Sequence, residues 1–391
     1  MDPIPYGRQD ITAEDVAAVT EALNSDWLTQ GPAVPRFERT VAAYCGVGHA
    51  VAVNSATSAL HIACLAMGLQ KGDWLWTSPN TFVASANCGL YCGAQIDFVD
   101  IDPLTYNMSA TALAQKLVVA KAAGRLPRIV IPVHFAGQSC DMEAIAGLAR
   151  EYGFRLIEDA SHAIGGRYRG LPVGSCRYSE IAVFSFHPVK IVTTAEGGMA
   201  VTNDAHLAER MKMLRTHGIT REPSEMAGPS QGPWYYEQVA LGFNYRMTDI
   251  LAALGCSQIK RLDAYVARRH EIAGIYDDAF RLLPVVTPSH QSGAHSALHL
   301  YVVRLRLDEI PVGRREVFLS LRAKGIGVNV HYIPVHLHPY YARMGFRPND
   351  FPEAERYYAE AISLPMFPTL TRAQQGIVIG ALQESLAHAA A

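Results

Sequence analysis

The sequence lacks a long hydrophobic run, an excess of charge of one sign and the layout of a signal peptide. No window approaches the ~18 uninterrupted apolar residues that a transmembrane helix needs. The 34 Lys and Arg residues nearly balance the 36 Asp and Glu residues, which gives no electrostatic support for a nucleic-acid binder. The start, Met-Asp-Pro-Ile-Pro-Tyr, lacks a basic segment followed by an apolar one. We therefore expect a cytoplasmic protein without membrane or nucleic-acid partners.

Cysteines are few and irregularly spaced. The seven of them include no CxxC pair, and no His/Cys cluster has the spacing of metal ligands. We expect reduced, mostly buried thiols and no metal site. Cys88 and Cys92 are four residues apart in a predicted helix, which leaves a metal or redox role as the lesser alternative.

The length and the order of hydrophobic runs indicate an α/β protein. At 391 residues the chain exceeds what one hydrophobic core usually supports, which predicts two domains. Between residues 36 and 202, β-rich runs alternate with helix-patterned stretches, which is typical of a mainly parallel sheet with helices on its faces. The predicted strands include 49–53, 128–133, 154–158, 180–186 and 199–202. Ligands of such folds collect at the carboxyl ends of the strands.

The second half of the sequence is less regular. Residues 222–247 are rich in Gly, Pro, Ser and aromatic residues, and we expect an ordered functional loop there. One or two helices are predicted at 248–280, followed by a smaller α+β region with a strand at 299–305. We therefore expect a large domain with an N-terminal arm at 1–255 and a small C-terminal domain at 256–391.

The segment Asn54-Ser-Ala-Thr-Ser58 lies between a predicted strand and a predicted helix at 59–67. Backbone N–H groups at a helix N-terminus attract an anion, so a phosphate would be well placed there. The alternative is that Ser55 or Thr57 only caps the helix, which is commonplace.

Asp159 and Lys190 follow two further predicted strands. Either residue alone is weak evidence, because a charged side chain is usually solvated. A loop lysine can form an imine with an aldehyde when burial or nearby cations leave some of it unprotonated. Together with the anion site, these residues form what pyridoxal 5'-phosphate (PLP) requires: a phosphate cradle, a carboxylate for the pyridinium nitrogen and a lysine.

Several long motifs of the sequence, in the same order, resemble the DegT/DnrJ/EryC1/StrS family of sugar aminotransferases. They are WLTQGP (27–32), NSATSALH (54–61), TFVASANC (81–88), FVDIDPLTYNM (98–108), VIPVHFAGQSCDM (130–142), LIEDASHAIGG (156–166), FSFHPVK (184–190) and TTAEGGM (193–199). The resemblance implies PLP fold type I, aspartate aminotransferase-like, with a large α/β/α domain and a smaller C-terminal α+β domain. It also implies PLP as the cofactor, L-glutamate as the amino donor and a homodimer with shared active sites.

The resemblance assigns site residues by position. Lys190 matches the catalytic lysine that holds the cofactor as a Schiff base, Asp159 the partner of the ring nitrogen, and Phe82 the aromatic that stacks on the PLP face. The further cofactor contacts that it implies are Ala56, Thr57, Ser185, His162 in place of the glutamine of many relatives, and Asn244, which would serve the neighbouring subunit. The residues that it implies near the sugar nucleotide are Tyr6, Thr29, Arg215, His217, Tyr236 and His331.

Within the family, RTHGITR (215–221), GPWYYEQ (232–238) and the start Tyr6-Gly-Arg-Gln9 most resemble aminotransferases of the pseudaminic acid pathway. This implies amination at C4 of UDP-2-acetamido-2,6-dideoxy-β-L-arabino-hex-4-ulose. Amination of another UDP, dTDP or GDP keto-sugar stays open. The related sugar 3-dehydratases carry histidine where this chain has Lys190, so the lysine favours transamination. The intact lysine, aspartate and phosphate loop argue against a non-catalytic protein of this fold.

Two assignments stay open at the level of sequence. His187 either tunes the charge of Lys190 or simply packs. The aromatic run Trp234, Tyr235 and Tyr236 either lies near the substrate or packs in a dimer interface, where aromatic residues are enriched.

Overall fold

The strands form one large sheet and three small ones. The structure is a computed structural model that describes residues 2–387. The strands of this part of the chain are β1 (His49–Val53), β2 (Trp74–Thr77), β3 (Gln95–Phe98), β4 (Ile129–Ile131), β5 (Arg155–Asp159), β6 (Arg167–Tyr168), β7 (Leu171–Pro172), β8 (Ile181–Ser185), β9 (Gly198–Thr202), β10 (Ile219–Thr220), β11 (Glu237–Gln238), β12 (Val285–Val286), β13 (Ala294–His295), β14 (Tyr301–Leu305) and β15 (Ala361–Leu364).

Helices connect most of these strands. They are α1 (Ala13–Leu23), α2 (Ala33–Cys45), α3 (Ala56–Ala66), α4 (Ala84–Tyr91), α5 (Ala110–Ala122), α6 (Met142–Tyr152), α7 (Ala205–Arg215), α8 (Asp249–Gln258), α9 (Leu262–Phe280), α10 (Arg314–Ala323), α11 (Pro339–Ala342), α12 (Pro352–Glu360) and α13 (Arg372–Ala387). Short 3-10 turns lie at Phe135–Gly137, Pro223–Glu225, Ile259–Arg261 and Val335–Leu337. No helix within residues 2–387 is long and apolar enough to cross a membrane.

The large sheet has the strand order β1-β9-β8-β5-β4-β2-β3. The pairs from β8 to β3 are parallel, whereas β9 is antiparallel to both β1 and β8. Since β9 runs the opposite way, it begins at the edge where β1, β5 and β8 end. This edge therefore gathers four chain segments, three leaving the sheet and one entering it.

The large sheet is buried on both faces because its strands alternate between two cores. In β1, Val51 and Val53 pack with α3, α4 and α7, while Ala50 and Ala52 pack with α2 and α8 on the opposite face. Successive side chains of a strand point to opposite faces, which produces this division. A further core lies between α5, α6 and the adjoining strands.

A smaller α+β region follows the large sheet. Strands β12, β14 and β15 form an antiparallel sheet that packs with α10, α13 and the C-terminal half of α9. The N-terminal half of α9 instead packs against the large sheet's core through Leu262, Tyr265 and Val266. Helix α9 therefore joins the two regions.

The predicted fold class is confirmed: an α/β architecture with a mainly parallel sheet and a smaller α+β region. The predicted strands lie within two residues of the observed bounds. The helix predicted at 59–67 begins earlier, at Ala56, because Ser55 takes the N-cap position and accepts a hydrogen bond from the Ser58 N–H at 3.1 Å. The domain limits, 1–255 and 256–391, stay a prediction. Residues 1 and 388–391 of those ranges lie outside the described residues.

Asp249 caps a helix from a distant part of the chain. Helix α2 begins after Pro32, which provides no side-chain cap. The Asp249 carboxylate, only 1% exposed, accepts hydrogen bonds from the backbone N–H groups of Gly31 at 2.8 Å and Ala33 at 2.7 Å. One carboxylate thus fixes the start of α2 against α8.

We expect Asp249→Ala to lower the free energy of unfolding by about 2–4 kcal/mol, because it leaves buried N–H groups without an acceptor. Urea denaturation measures the change. The matched control is Asp204→Ala at the exposed N-cap of α7, for which we expect about 1 kcal/mol. Equal losses in the two variants would contradict this account of Asp249.

Candidate active site

A cleft of about 450 Å³ lies at the edge of the large sheet where the segments from β1, β5, β8 and β9 meet. Gly198, the first residue of β9, pairs with Val53 and Ser185, the last residues of β1 and β8. This volume suits a small organic ligand. The lining residues include Tyr6, Ser55, Ala56, Thr57, Phe82, Asp159, His162, Ser185, His187, Lys190, His299, His331 and Tyr332.

The N-terminus of α3 forms one end of the cleft. Ser55 uses its side chain as the helix cap, and Ala56 and Thr57 form the first turn. Backbone N–H groups of a first turn have no acceptor within their own helix, and the helix dipole favours an anion there. Ser55 thus caps the helix, while Ala56 and Thr57 line the cleft, and their contact with a phosphate stays a prediction.

Asp159 ends β5 and is held in the cleft wall by two hydrogen bonds. Its Oδ2 accepts from the Ser85 hydroxyl at 2.7 Å, and its Oδ1 accepts from the Ser161 backbone N–H at 3.1 Å. Ser85 in turn lies 2.8 Å from the Thr81 hydroxyl. The carboxylate is 5% exposed and has no cation within ion-pair distance among the described residues. It is therefore placed to pair with a cationic group of a ligand.

Lys190 lies on a short loop that begins at Phe186 and returns to it through hydrogen bonds from Thr193 and Thr194. The Phe186 carbonyl accepts from the Thr194 backbone N–H and the Thr193 hydroxyl, each at 2.9 Å. Within the loop, the Lys190 backbone N–H donates to the His187 carbonyl at 2.9 Å. Burial lowers the pKa of the Lys190 amine to about 8, with the Asp159 carboxylate acting in the opposite direction. A substantial fraction of this amine is consequently unprotonated at neutral to mildly basic pH.

Histidine and tyrosine side chains form the remaining wall. The Tyr332 hydroxyl lies 3.1 Å from His162 Nε2, and His331 Nδ1 lies 2.8 Å from the Ser363 hydroxyl. Burial, followed by the charge of Lys190, lowers the pKa of His331 to about 4. The Tyr6 ring lies 5.5 Å from the His331 ring. This wall is therefore polar but uncharged.

These residues fit PLP. The first turn of α3 can bind the phosphate, Asp159 can bind the ring nitrogen, and Lys190 can bind the aldehyde. Phe82 supplies a further observation, because its side chain is 59% exposed and lines the cleft. A flat ring bound over Phe82 would cover this apolar surface.

The structure brings most of the predicted site residues together in the cleft. From the predicted cofactor contacts it places Ala56, Thr57, Phe82, Asp159, His162, Ser185 and Lys190 there, and from the predicted substrate contacts it places Tyr6 and His331. His187 also lines the cleft and is exposed. Its role stays open.

The other predicted residues do not line the cleft of their own chain. Arg215 forms an ion pair with Glu38 and donates to the Ala52 carbonyl at 2.7 Å, so its guanidinium already has partners beneath β1. Four more residues are exposed away from the cleft: Thr29, His217, Tyr236 and Asn244. Their contacts with cofactor or substrate stay predictions.

Sequence reasoning missed His299 and Tyr332, which line the cleft, and the buried Ser85, which holds Asp159 in the cleft wall. Ser85 lies within the motif TFVASANC, three residues after Phe82, so helical spacing was the available signal. Tyr332 meets His162 across 170 positions of sequence, and no local pattern predicts that contact. No group of three or more His, Cys, Asp or Glu side chains between residues 2 and 387 has the geometry of a metal site.

Comparisons with known proteins agree with this geometry. The model of the DegT/DnrJ/EryC1/StrS aminotransferase family matches residues 9–383. Spore coat polysaccharide biosynthesis protein SpsC of Bacillus subtilis is 41% identical, over 97% of this chain and 96% of the relative. A UDP-4-amino-4,6-dideoxy-N-acetyl-β-L-altrosamine transaminase of Campylobacter jejuni is 38% identical, over 93% of this chain and 92% of the relative.

The fold is also similar to solved structures. Helicobacter pylori PseC, an aminotransferase involved in the biosynthesis of pseudoaminic acid, superposes with a TM-score of 0.90 at 30% identity. The superposition covers 98% of this chain and 99% of that one. The similarity therefore extends over both the large sheet and the smaller region.

We expect Ser85→Ala to weaken PLP binding roughly tenfold, because Asp159 loses a charge-assisted hydrogen bond that aims its carboxylate. Absorbance titration of the cofactor-free protein with PLP measures the dissociation constant. Ser161→Ala is the matched control, since Ser161 holds Asp159 through its backbone N–H and the variant keeps that bond. Unchanged affinity in Ser85→Ala would contradict this role of the hydroxyl.

We expect the Lys190 amine of the cofactor-free protein to react with acetic anhydride at a rate that rises with pH and is half-maximal near pH 8. Only the unprotonated amine reacts, and an ordinary lysine would show a midpoint near 10.4. Asp159→Asn removes a carboxylate that raises this pKa, so its midpoint moves to lower pH. Mass spectrometry of the Lys190 peptide measures the rate. A midpoint near 10 in the unmodified sequence would contradict the effect of burial.

Proposed function

The chain belongs to the DegT/DnrJ/EryC1/StrS aminotransferase family, and on that premise we propose that it aminates C4 of a UDP-4-keto-6-deoxy-N-acetylhexosamine in pseudaminic acid biosynthesis. Membership makes it a PLP-dependent sugar-nucleotide aminotransferase. The proposed substrate is UDP-2-acetamido-2,6-dideoxy-β-L-arabino-hex-4-ulose, with L-glutamate as the donor.

The observation that carries the proposal is the placement of Lys190 and Asp159 in one cleft with the α3 N-terminus. When bound, PLP supplies an electron sink that stabilises negative charge on the carbon that loses a proton. Asp159 keeps the ring nitrogen protonated, which this chemistry requires. Ala56 and Thr57 orient the phosphate through their backbone N–H groups.

Lys190 moves the proton. With its pKa lowered to about 8, its Nζ can accept a proton from the α-carbon of the donor and return one to the cofactor carbon that carried the aldehyde, as a general base and then a general acid. Nζ would be free for this role once the amino group of the donor displaces it from the cofactor, and it would displace the amino sugar at the end of the cycle. The tied loop keeps Nζ within the cleft during both half-reactions.

Two of the relatives support the substrate. The Campylobacter jejuni transaminase is named for the 4-amino sugar that the proposed reaction yields, and the Helicobacter pylori enzyme is named for its role in the same pathway. The Bacillus subtilis relative, at higher identity, is named for spore coat polysaccharide. It therefore supports the alternative, amination of a different UDP, dTDP or GDP keto-sugar. The other alternative, a sugar 3-dehydratase, conflicts with Lys190, because those enzymes carry histidine at this position.

We also infer that a homodimer completes the site. The segment around Asn244 exposes large apolar side chains, with Trp234 71% and Leu241 80% exposed. His217, Tyr236 and Asn244 are exposed on the same part of the chain. Exposed aromatic residues are typical of interfaces, and a partner's cleft would give these three residues a ligand to contact. A cytoplasmic location and the domain limits at 255/256 belong to this proposal as well.

We expect the protein with PLP to show an absorbance band that Lys190→Ala lacks and that L-glutamate bleaches. Adding the UDP-4-keto sugar should restore the band, because the amino group leaves the cofactor. His187→Ala is the matched control, since it changes a neighbouring cleft residue and leaves the lysine in place. A band that glutamate leaves unchanged would contradict the assignment of L-glutamate as the donor, or transamination itself.

The same cycle of bleaching and recovery of the absorbance band tests which sugar nucleotide is the substrate. Recovery of the band with the UDP sugar and not with the dTDP or GDP 4-keto sugars supports the proposed substrate class. Restoration by a dTDP or GDP sugar alone would favour the alternative.

A further inference from the structure

Two buried histidines in the described part of the chain have carboxylate partners. His134 Nε2 lies 2.6 Å from the Glu158 carboxylate, and His336 Nε2 lies 2.9 Å from the Glu355 carboxylate. Both imidazoles are fully buried. A carboxylate at this distance can compensate a positive charge on the ring.

Two other buried histidines, His162 and His299, pack against each other in the wall of the cleft. They are 6% and 4% exposed, and their ring centroids lie 4.4 Å apart. Neither imidazole has a carboxylate within ion-pair distance among the described residues. In each ring Nδ1 is buried without a hydrogen-bond partner in the described part of the chain. A proton added to either ring would therefore create a buried and uncompensated charge, which is costly.

The groups that face this pair do not favour a cation. Lys190 approaches from the loop after β8, His331 and Tyr332 from the segment before α11, and Arg269 from α9. Burial lowers the pKa of both His162 and His299 well below its usual value, and Lys190 and His331 lower both further. For His299, the neighbouring His162 and Arg269 act in the same direction. Asp159, a carboxylate of the cleft, is bound to Ser85 and Ser161 instead.

The backbone fixes His299 against His162. Arg269, itself 1% exposed, donates from one nitrogen to the carbonyls of Leu298, His299 and Met366, each at 3.1 Å. On the other side, Gly137 leaves no room for a side chain, since a Cβ there would lie 2.9 Å from the His299 nitrogen and 3.0 Å from the His162 oxygen. The contact between the two tilted rings thus connects the smaller region to the wall of the cleft.

We propose that His299 is a positioning residue that packs its ring against His162 at a tilt of 49°, excludes water from it and so keeps it uncharged next to the cofactor. That His162 lies next to the cofactor rests on the proposed function, because it assumes that PLP occupies the cleft. If His162 is uncharged, it does not compete with Lys190, the residue that gains and loses a proton in the proposed reaction. The Tyr332 hydroxyl, which bonds to His162 Nε2, orients the ring that His299 covers.

The test is an NMR pH titration of the cofactor-free protein with isotope-labelled histidine, in which the His162 signal is identified by its loss in His162→Gln. We expect His162 to stay uncharged well below the ordinary midpoint of 6.5 in the unmodified sequence, because burial lowers its pKa. His299→Phe keeps an aromatic ring in contact with His162 and should preserve this behaviour. His299→Ala admits water and should raise the midpoint of His162 by about one pH unit or more toward 6.5.

A His162 midpoint near 6.5 in the unmodified sequence, or no shift in His299→Ala, overturns the inference. Thermal denaturation checks that the variants fold. If His299→Ala does not fold, His299→Asn removes the aromatic ring with a smaller change in volume and should show the same rise in the His162 midpoint. Because this titration uses no cofactor, its result is independent of whether glutamate bleaches the PLP band.

A second readout uses the loaded protein. The pH profile of the PLP absorbance should change in His299→Ala, and His162→Gln should abolish that change, because an amide cannot take up the proton. If the double variant His162→Gln/His299→Ala still shows the altered profile, His299 does not act through His162.

Discussion

The site depends on a close approach between the start of β9 and the first turn of α3. A Cβ on Gly198 would lie 2.4 Å from the Ala56 nitrogen, so only glycine permits this contact. Gly198 pairs at the same time with the last residues of β1 and β8. The anion site after β1 and the lysine loop after β8 are therefore held at a fixed separation by one strand between them. Asp159 then joins them from β5, the neighbour of β8.

The cleft contains few charged side chains, and this determines how strongly it interacts with a charged ligand. Asp159 has hydroxyl and amide partners instead of a cation, and Lys190 loses hydration through burial. Burial lowers the pKa of the His162, His299 and His331 imidazoles and so disfavours their protonated forms. Charges in such a site are weakly screened, so a ligand cation at Asp159 and a ligand anion at α3 interact with it strongly. The neighbouring neutral groups then orient a ligand without competing for protons.

Much of this site could be predicted from the sequence because its parts are local. Strand periodicity located the ends of β1, β5 and β8, and the residues that follow those ends include Ala56, Thr57, Asp159 and Lys190. Contacts between distant segments could not be predicted in this way. Ser85 meets Asp159 across 74 positions, and Asp249 caps α2 across 216. A one-dimensional pattern contains no signal for such pairs, since they arise when helices pack on the sheet.

The sequence by itself determined the fold class, the strand ends and the residue types of the chemistry, because hydrophobic periodicity and turn residues act over short distances. Only the tertiary structure decided which candidate residues share the cleft, how far each is buried and in which direction its pKa is shifted. It separated Arg215, which is paired with Glu38 beneath β1, from Tyr6 and His331, which line the cleft. It also brought His299 into contact with His162 and partly buried Lys190. Burial and partners depend on packing between segments far apart in the chain, and those interactions set the pKa of a side chain.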